Sequence, residues 1–430
     1  MTASRPYALL WRGALAASIA GLLGCAAWAP HPPIDKVAVA AAPSFDTAQV
    51  RRGANLAALG DCAGCHTVRG GASFAGGVAL HTPFGTVHGT NITPDPETGI
   101  GAWSREAFHR ALRQGVSRDG HLLYPAFPYD HFTHLADEDI AALYAYLMTR
   151  EPVRATAPAN RLAFPFNVRP LIAAWNLLYL QEGPLPPADR GTYLVEALAH
   201  CSACHTPRNR LGAERRDAYL DGGDAEGWHA TALNAKSPSP VPWDADALTD
   251  YLRSGLVPGH AMTAGPMQGA VHSLAQARPD DVRAIAAYIA AQMGTPDPDR
   301  RAREAVARQK SAQAPPAAGT DDAALALGRT VYQGSCAGCH EAGRGLSSNT
   351  ALQLPLAVAL YLPDARNLVH IIREGIEPVE GESGRWMPAF GGNLSDDELT
   401  ALVTWLRREM AGAPAWNDVA RVVKDSEGAP

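Results

Sequence analysis

Apolar residues spaced four apart and closed by a glycine recur three times along the chain. The first run goes from Trp103-Ser104-Arg105-Glu106-Ala107-Phe108 to Leu112-Arg113-Gln114-Gly115, and the second from Trp243-Asp244-Ala245-Asp246-Ala247-Leu248 to Leu252-Arg253-Ser254-Gly255. The third goes from Asp364-Ala365-Arg366-Asn367-Leu368 to Ile372-Arg373-Glu374-Gly375. Each predicts an amphipathic helix stopped by its glycine. A further helix follows each one: Ile140, Leu143, Tyr146 and Leu147 match Val282, Ile285, Tyr288 and Ile289, and match Leu399, Leu402, Trp405 and Leu406. Acidic residues crowd these helix starts, as the helix dipole favours, and Ser395 with Glu398 has capping-box spacing. Upstream, a helix-like run carries a glycine beside an arginine at Arg52-Gly53, Arg190-Gly191 and Gly328-Arg329. The stripes read as core faces. The pattern predicts a mainly α chain of three tandem units with long ordered loops.

Just after each glycine-bearing run stands one pentapeptide. It reads Cys62-Ala63-Gly64-Cys65-His66, Cys201-Ser202-Ala203-Cys204-His205 and Cys336-Ala337-Gly338-Cys339-His340. C-x-x-C-H is the attachment signal of a c-type haem: two thiols one helical turn apart bind the porphyrin, and the next histidine lies under the iron. A zinc site would need a second ligand pair, and a thioredoxin-like redox pair would need a surrounding βαβ pattern; neither is present. The motifs use six of the 7 cysteines and leave Cys25, so no disulfide framework remains. Three covalently bound haem c groups are expected, in three class I cytochrome c domains.

In such domains a methionine between the second and third helices usually completes the iron's coordination. Twelve residues beyond Gly375 is Met387, and twelve beyond Gly255 is Met267, which the equal count selects over Met262. The same count from Gly115 reaches Phe127. That loop instead holds His121, His131 and His134. His131, and after it His134, are the candidates for a bis-histidine site; an open or otherwise filled site is the other reading.

The remaining stretches bound the organisation. Arg5 and Arg12 precede an apolar run, Gly13 to Pro30, that reads as a signal peptide or membrane anchor over residues 1–30. Within it Leu22-Leu23-Gly24-Cys25 resembles a bacterial lipoprotein box, which makes Cys25 a lipidation candidate. Domain 1 is expected over 45–152, a connector over 153–186, domain 2 over 187–296, an exposed linker over 297–323, domain 3 over 324–412 and a tail over 413–430. The connector run Leu171 to Leu180 is too short to span a membrane; it reads as a helix buried between domains, or as one docking on lipid or a partner. Covalent haem attachment implies export, so the chain is expected on the periplasmic side of the cell membrane. The net charge of −6 argues against a nucleic-acid partner.

Several further motifs carry a resemblance over nearly the whole mature chain. They are Thr82-Pro83-Phe84-Gly85, Asn91-Ile92-Thr93-Pro94-Asp95, Gly99-Ile100-Gly101-Ala102-Trp103 and Cys204-His205-Thr206-Pro207-Arg208-Asn209. With the three haem motifs, the chain resembles the triple-haem cytochrome c subunits of bacterial membrane-bound dehydrogenases. Tyr124-Pro125-Ala126-Phe127-Pro128-Tyr129-Asp130-His131-Phe132 is similar to the branch serving molybdenum hydroxylases of the nicotinate, isoquinoline or aldehyde dehydrogenase type. The resemblance implies a molybdopterin subunit and a two-iron iron–sulfur subunit as partners, with quinone or a terminal oxidase as acceptor. The sister branch, serving quinoprotein alcohol and flavoprotein sugar-acid dehydrogenases, tends to carry Met where Phe127 stands. An electron-transfer subunit without substrate chemistry of its own is the leading expectation. A peroxidase-like enzyme using an open first haem, and a soluble carrier, are the alternatives.

Overall fold

The computed structural model describes residues 31–38, 44–186, 188–257, 259–313, 322–341, 352–377 and 387–426. The expected anchor segment, with Cys25, lies outside these residues. The described residues up to Ala188, with Glu196–Leu198, form one compact unit; Asp189–Val195 and the described residues from Ala199 form a second. Three sequence repeats are thus gathered into two units, the second and third repeats sharing one. Both units are mainly α.

In the first unit, α1 (Thr47–Leu59) leads into the short α2 (Cys62–His66). The hairpin of β1 (Ala79–Thr82) and β2 (Gly85–His88) follows, with Ala79 opposite His88. Next come α3 (Arg105–Gln114), α4 (Tyr129–Phe132) and α5 (Asp137–Met148). The connector returns β3 (Arg161–Leu162) to the free edge of β2 and then forms α6 (Leu171–Tyr179). That helix buries Ile172 and Trp175 on the first unit while Leu171, Leu177 and Leu178 stay exposed.

The second unit repeats the plan twice. Helix α7 (Arg190–Tyr193) continues as a π-helical turn, Leu194–Leu198, and precedes α8 (Ser202–His205). A hairpin of β4 (Gly223–Ala225) and β5 (Trp228–Ala230) follows, then α9 (Ala245–Ser254), the two-residue strands β6 (Leu256–Val257) and β7 (Ala261–Met262), α10 (Met267–Ala275) and α11 (Pro279–Met293). The last repeat is α12 (Pro298–Ser311), α13 (Ala323–Ser335), α14 (Ala337–His340), α15 (Arg366–Glu374), α16 (Asp396–Trp405) and α17 (Val419–Asp425).

Within the stretch 297–323, expected as an exposed linker, residues 298–311 form helix α12, which is mostly exposed. Asp297 accepts a hydrogen bond from the Arg300 N–H, and Pro298 opens the first turn, so the stretch has a helix-start signal. Ala307 is buried and packs with Val241 and Leu356.

One crossing organises every repeat. A Cβ on Gly53 would fall 2.0 Å from the Ala142 carbonyl oxygen and 2.7 Å from the Tyr146 Cβ. On Gly191 it would fall 2.5 Å from the Ala284 oxygen and 3.2 Å from the Tyr288 Cβ; on Gly328, 2.2 Å from the Ala401 oxygen and 2.7 Å from the Trp405 Cβ. Only a hydrogen fits, so the first helix lies directly on the backbone of the last. The crossing is pinned in two repeats by ion pairs to buried aspartates, Arg52–Asp139 at 2.5 Å and Arg190–Asp281 at 2.8 Å. In the third, Leu327 takes the arginine's place in the chain. The last helix there starts with the anticipated capping box of Ser395 and Glu398.

Candidate functional site

Each C-x-x-C-H motif folds as a short helix that ends at its histidine, and the next residue, Thr67, Thr206 or Glu341, is extended. The histidine rings are oriented alike. His66 Nδ1 lies 2.6 Å from the Thr90 carbonyl, His205 Nδ1 2.6 Å from that of Thr231, and His340 Nδ1 2.8 Å from that of Leu352. A carbonyl oxygen only accepts, so Nδ1 carries the proton and Nε2 keeps its lone pair. Burial lowers all three imidazole pKa values against the raising effect of these hydrogen bonds, which keeps the rings neutral.

The first thiol of each motif is also held protonated. Burial, with Asp61 and Cys65 adding to it, pushes Cys62 up to about 12. Burial with Cys204 nearby pushes Cys201 to about 12, and burial with Cys339 nearby pushes Cys336 to about 11. Two thiols and an oriented, neutral imidazole on one helical turn are the donor set a haem c requires, so the residues fit the group. The carbonyl acceptors were not legible beforehand. They stand twenty-four, twenty-six and twelve residues beyond their histidines, with no shared spacing.

On the other side of each repeat, the loop after the closing glycine folds back on itself. Val116 bridges Leu122 in the first repeat, Leu256 pairs with Met262 in the second, and Ile376 bridges Met387 in the third. In the first two, the partner is the seventh residue after the glycine; in the third it is the twelfth. Equal counting from the glycine therefore pairs Met267 with Phe127, in loops of one register, but not with Met387. The ladder position of Met387 is filled in the second repeat by Met262, while Met267 heads α10. A five-residue difference in loop length is invisible to the count.

The first repeat brings its histidines to backbone carbonyls. His131, on α4, has Nδ1 2.9 Å from the Glu196 carbonyl, and His134 has Nδ1 2.8 Å from that of Gly183. His121 instead turns to solvent and pairs with Asp119 at 2.5 Å. Phe127 packs beside Tyr129 and Phe132, with ring centroids 6.3 and 5.4 Å away.

Comparisons with known proteins point to one family. Residues 50–151 match the cytochrome c family, and residues 323–406 match cytochrome c oxidase, cbb3-type, subunit III. The chain is 44% identical over 424 residues, 95% of its length, to a nicotinate dehydrogenase subunit of Pseudomonas putida, and spans only 34% of that longer protein. It is 37% identical to the gluconate 2-dehydrogenase cytochrome c subunit of Pantoea cypripedii, covering 88% of this chain and 90% of the relative. It is 34% identical to the fructose dehydrogenase cytochrome subunit of Gluconobacter japonicus, covering 85% and 80%. Covalently bound haem c is the cofactor of such domains. The chain belongs to the family of cytochrome c subunits of dehydrogenase complexes, and its role is electron transfer within such a complex.

Proposed function

We propose that this chain carries three haem c groups and relays electrons from a molybdopterin and iron–sulfur catalytic partner toward quinone or a terminal oxidase. Attachment is assigned to Cys62 and Cys65, Cys201 and Cys204, and Cys336 and Cys339. His66, His205 and His340 are the proximal ligands. The observation that carries the reading is the threefold repetition of a neutral imidazole whose Nδ1–H is held by a carbonyl. Each bound haem supplies one-electron ferric/ferrous chemistry. The polypeptide fixes the imidazole's tautomer and direction.

Met387 is assigned as the third distal ligand. Met267 is assigned in the second repeat, at the same count from Gly255 as Phe127 from Gly115; Met262 is the competing sulfur. His131 is assigned in the first. The 44% identity to a nicotinate dehydrogenase subunit supports the molybdenum branch. Similarity to gluconate and fructose dehydrogenase subunits keeps the sister branch as the second reading. An N-terminal tether would place the chain at the periplasmic face of the membrane. Among the described residues no helix is long and apolar enough to cross a membrane.

The test is the complex purified from its native host. The cytochrome chain should carry three haems by mass and by pyridine haemochrome, and copurifying subunits should contain molybdenum and a two-iron cluster. Any other haem count overturns the placement. Pyrroloquinoline quinone or flavin in the partner overturns the branch.

A further inference from the structure

The carbonyls that orient the first two proximal histidines sit at the ends of hairpins, and each hairpin is held in one particular way. In the first unit the run is His88-Gly89-Thr90, and in the second it is His229-Ala230-Thr231. The hairpin lies hard against the haem helix: a Cβ on Gly89 would fall 1.7 Å from the Cys65 carbonyl oxygen, and one on Gly223, opposite Ala230, 2.4 Å from that of Cys204.

Two residues before each acceptor threonine, an asparagine from a later segment binds the hairpin backbone. Asn160 Oδ1 accepts from the His88 N–H at 2.9 Å. Asn367 Oδ1 accepts from the His229 N–H at 2.8 Å, and its Nδ2 donates to the His229 carbonyl at 2.8 Å. The asparagines lie 72 and 138 residues from their histidines, on a connector in one case and on α15 of the third repeat in the other. Two unrelated segments supply the same side chain to the same backbone position. The third repeat has a different support: Leu352, which accepts from His340, packs with the apolar group of Val241, Ala307 and Leu356.

We propose that Asn160 and Asn367 are positioning residues for the first and second haems. They act through the hairpin to hold the Thr90 and Thr231 carbonyls on the proximal Nδ1–H. A firmly held acceptor makes the imidazole a stronger donor, which favours ferric iron and lowers the midpoint potential. Asn367 belongs to the third repeat, so that repeat supplies the side chain that supports the second haem's hairpin. Nearby, Arg366 pairs with Asp224 at 2.6 Å, and the His370 ring stacks on Trp228 with centroids 5.0 Å apart; these contacts hold the same docking without touching the His229 backbone. The inference rests on the haem placement proposed above.

The experiment compares the full chain with Asn160→Ala, Asn367→Ala and His370→Ala variants. Haems are counted first; then three midpoints are resolved by spectroelectrochemistry, and solvent exchange of the hyperfine-shifted Nδ1–H resonances is followed by NMR. Asn367→Ala should raise the second haem's midpoint and speed exchange of its Nδ1–H, leaving the other two unmoved. Asn160→Ala should do the same to the first haem alone. His370→Ala should weaken the docking and move no midpoint. A count other than three in the unaltered chain refutes the haem placement. Three haems with unmoved midpoints in both asparagine variants refute the role of the asparagines, and so does an equal rise in His370→Ala. If Asn367→Ala fails to fold, Asn160→Ala decides the question, since its unit does not contain Asn367.

Discussion

The loops that follow Gly115 and Gly255 share a register yet differ in what fills them. In both, the residue after the glycine pairs with the sixth one beyond it, and the eighth residue after the glycine donates its N–H to the glycine carbonyl, Leu123 to Gly115 at 2.7 Å and Thr263 to Gly255 at 2.8 Å. Both glycines hold the left-handed conformation, φ 64° and 71°. Against Gly115 lies the ring of Tyr129, and against Gly255 lie the hydroxyl of Thr263 and a methyl of Val271. At the twelfth position stands Phe127 in one loop and Met267 in the other. The backbone frame of the loop is therefore separable from the side chain it presents. Geometry is kept by glycine and ladder; the chemistry the loop offers is set by one or two side chains within it.

The largest way to break that comparison is to remove a frame. Gly191→Val would drive a branched side chain into the Ala284 carbonyl, where even a Cβ would sit at 2.5 Å. Overpacking of this kind costs about 3 kcal/mol or more when the obstacle is backbone. The expected product has two haems instead of three, with the first unit's spectrum intact. A variant holding all three haems at unaltered stability would show the crossing to be slack.

A distal-donor scan comes next and separates frame from ligand. Met387→Ala should abolish one sulfur-to-iron band and lower that haem's midpoint, because a thioether stabilises ferrous iron. In the second repeat Met267→Ala should do the same, and Met262→Ala should leave the spectrum alone. The reverse result would mean that the ladder position, shared by Met262 and Met387, defines the ligand. In the first repeat His131→Ala should make one haem high-spin, and His134→Ala should not. Unmoved spectra in both variants would favour an open site.

Much of this molecule was legible because its repeats are written in short-range patterns. The crossing glycines and the aromatic positions they meet, Tyr146, Tyr288 and Trp405, were aligned from periodicity, and the structure puts each glycine against its partner. The haem motifs are local for the same reason. What could not be read depends on contacts far apart in the chain. Asn367 meets His229 across 138 residues, and nothing in either neighbourhood announces it. The five-residue difference between the ladder partners Met262 and Met387 is equally invisible to a count from the glycine, which assumes equal loops. Helix α12 was hidden by its Ala, Arg and Gln content, which suits a solvated helix as well as a linker; Asp297-Pro298 was the signal to weigh.

The smallest expected effect tests the filler rather than the frame. Tyr129 is fully buried, and its hydroxyl donates to Asn176 Oδ1 on α6 at 2.6 Å, with the Trp175 ring edge-on at 6.2 Å. Burial raises the phenol's pKa, so the hydroxyl stays a donor at neutral pH. Tyr129→Phe keeps the ring against Gly115 and removes only that hydrogen bond, at a cost of about 1 kcal/mol. In a unit of this size that corresponds to a melting shift of about 2–4 °C. The shift should appear in the first unit's transition, with faster amide exchange in α6. Val271 offers no hydroxyl at the corresponding place, so Val271→Ile should act through packing alone and leave α6 exchange unchanged. If Tyr129→Phe leaves both the melting transition and α6 exchange untouched, Tyr129 serves the ring contact with Gly115 only, and the connector is held by Ile172 and Trp175.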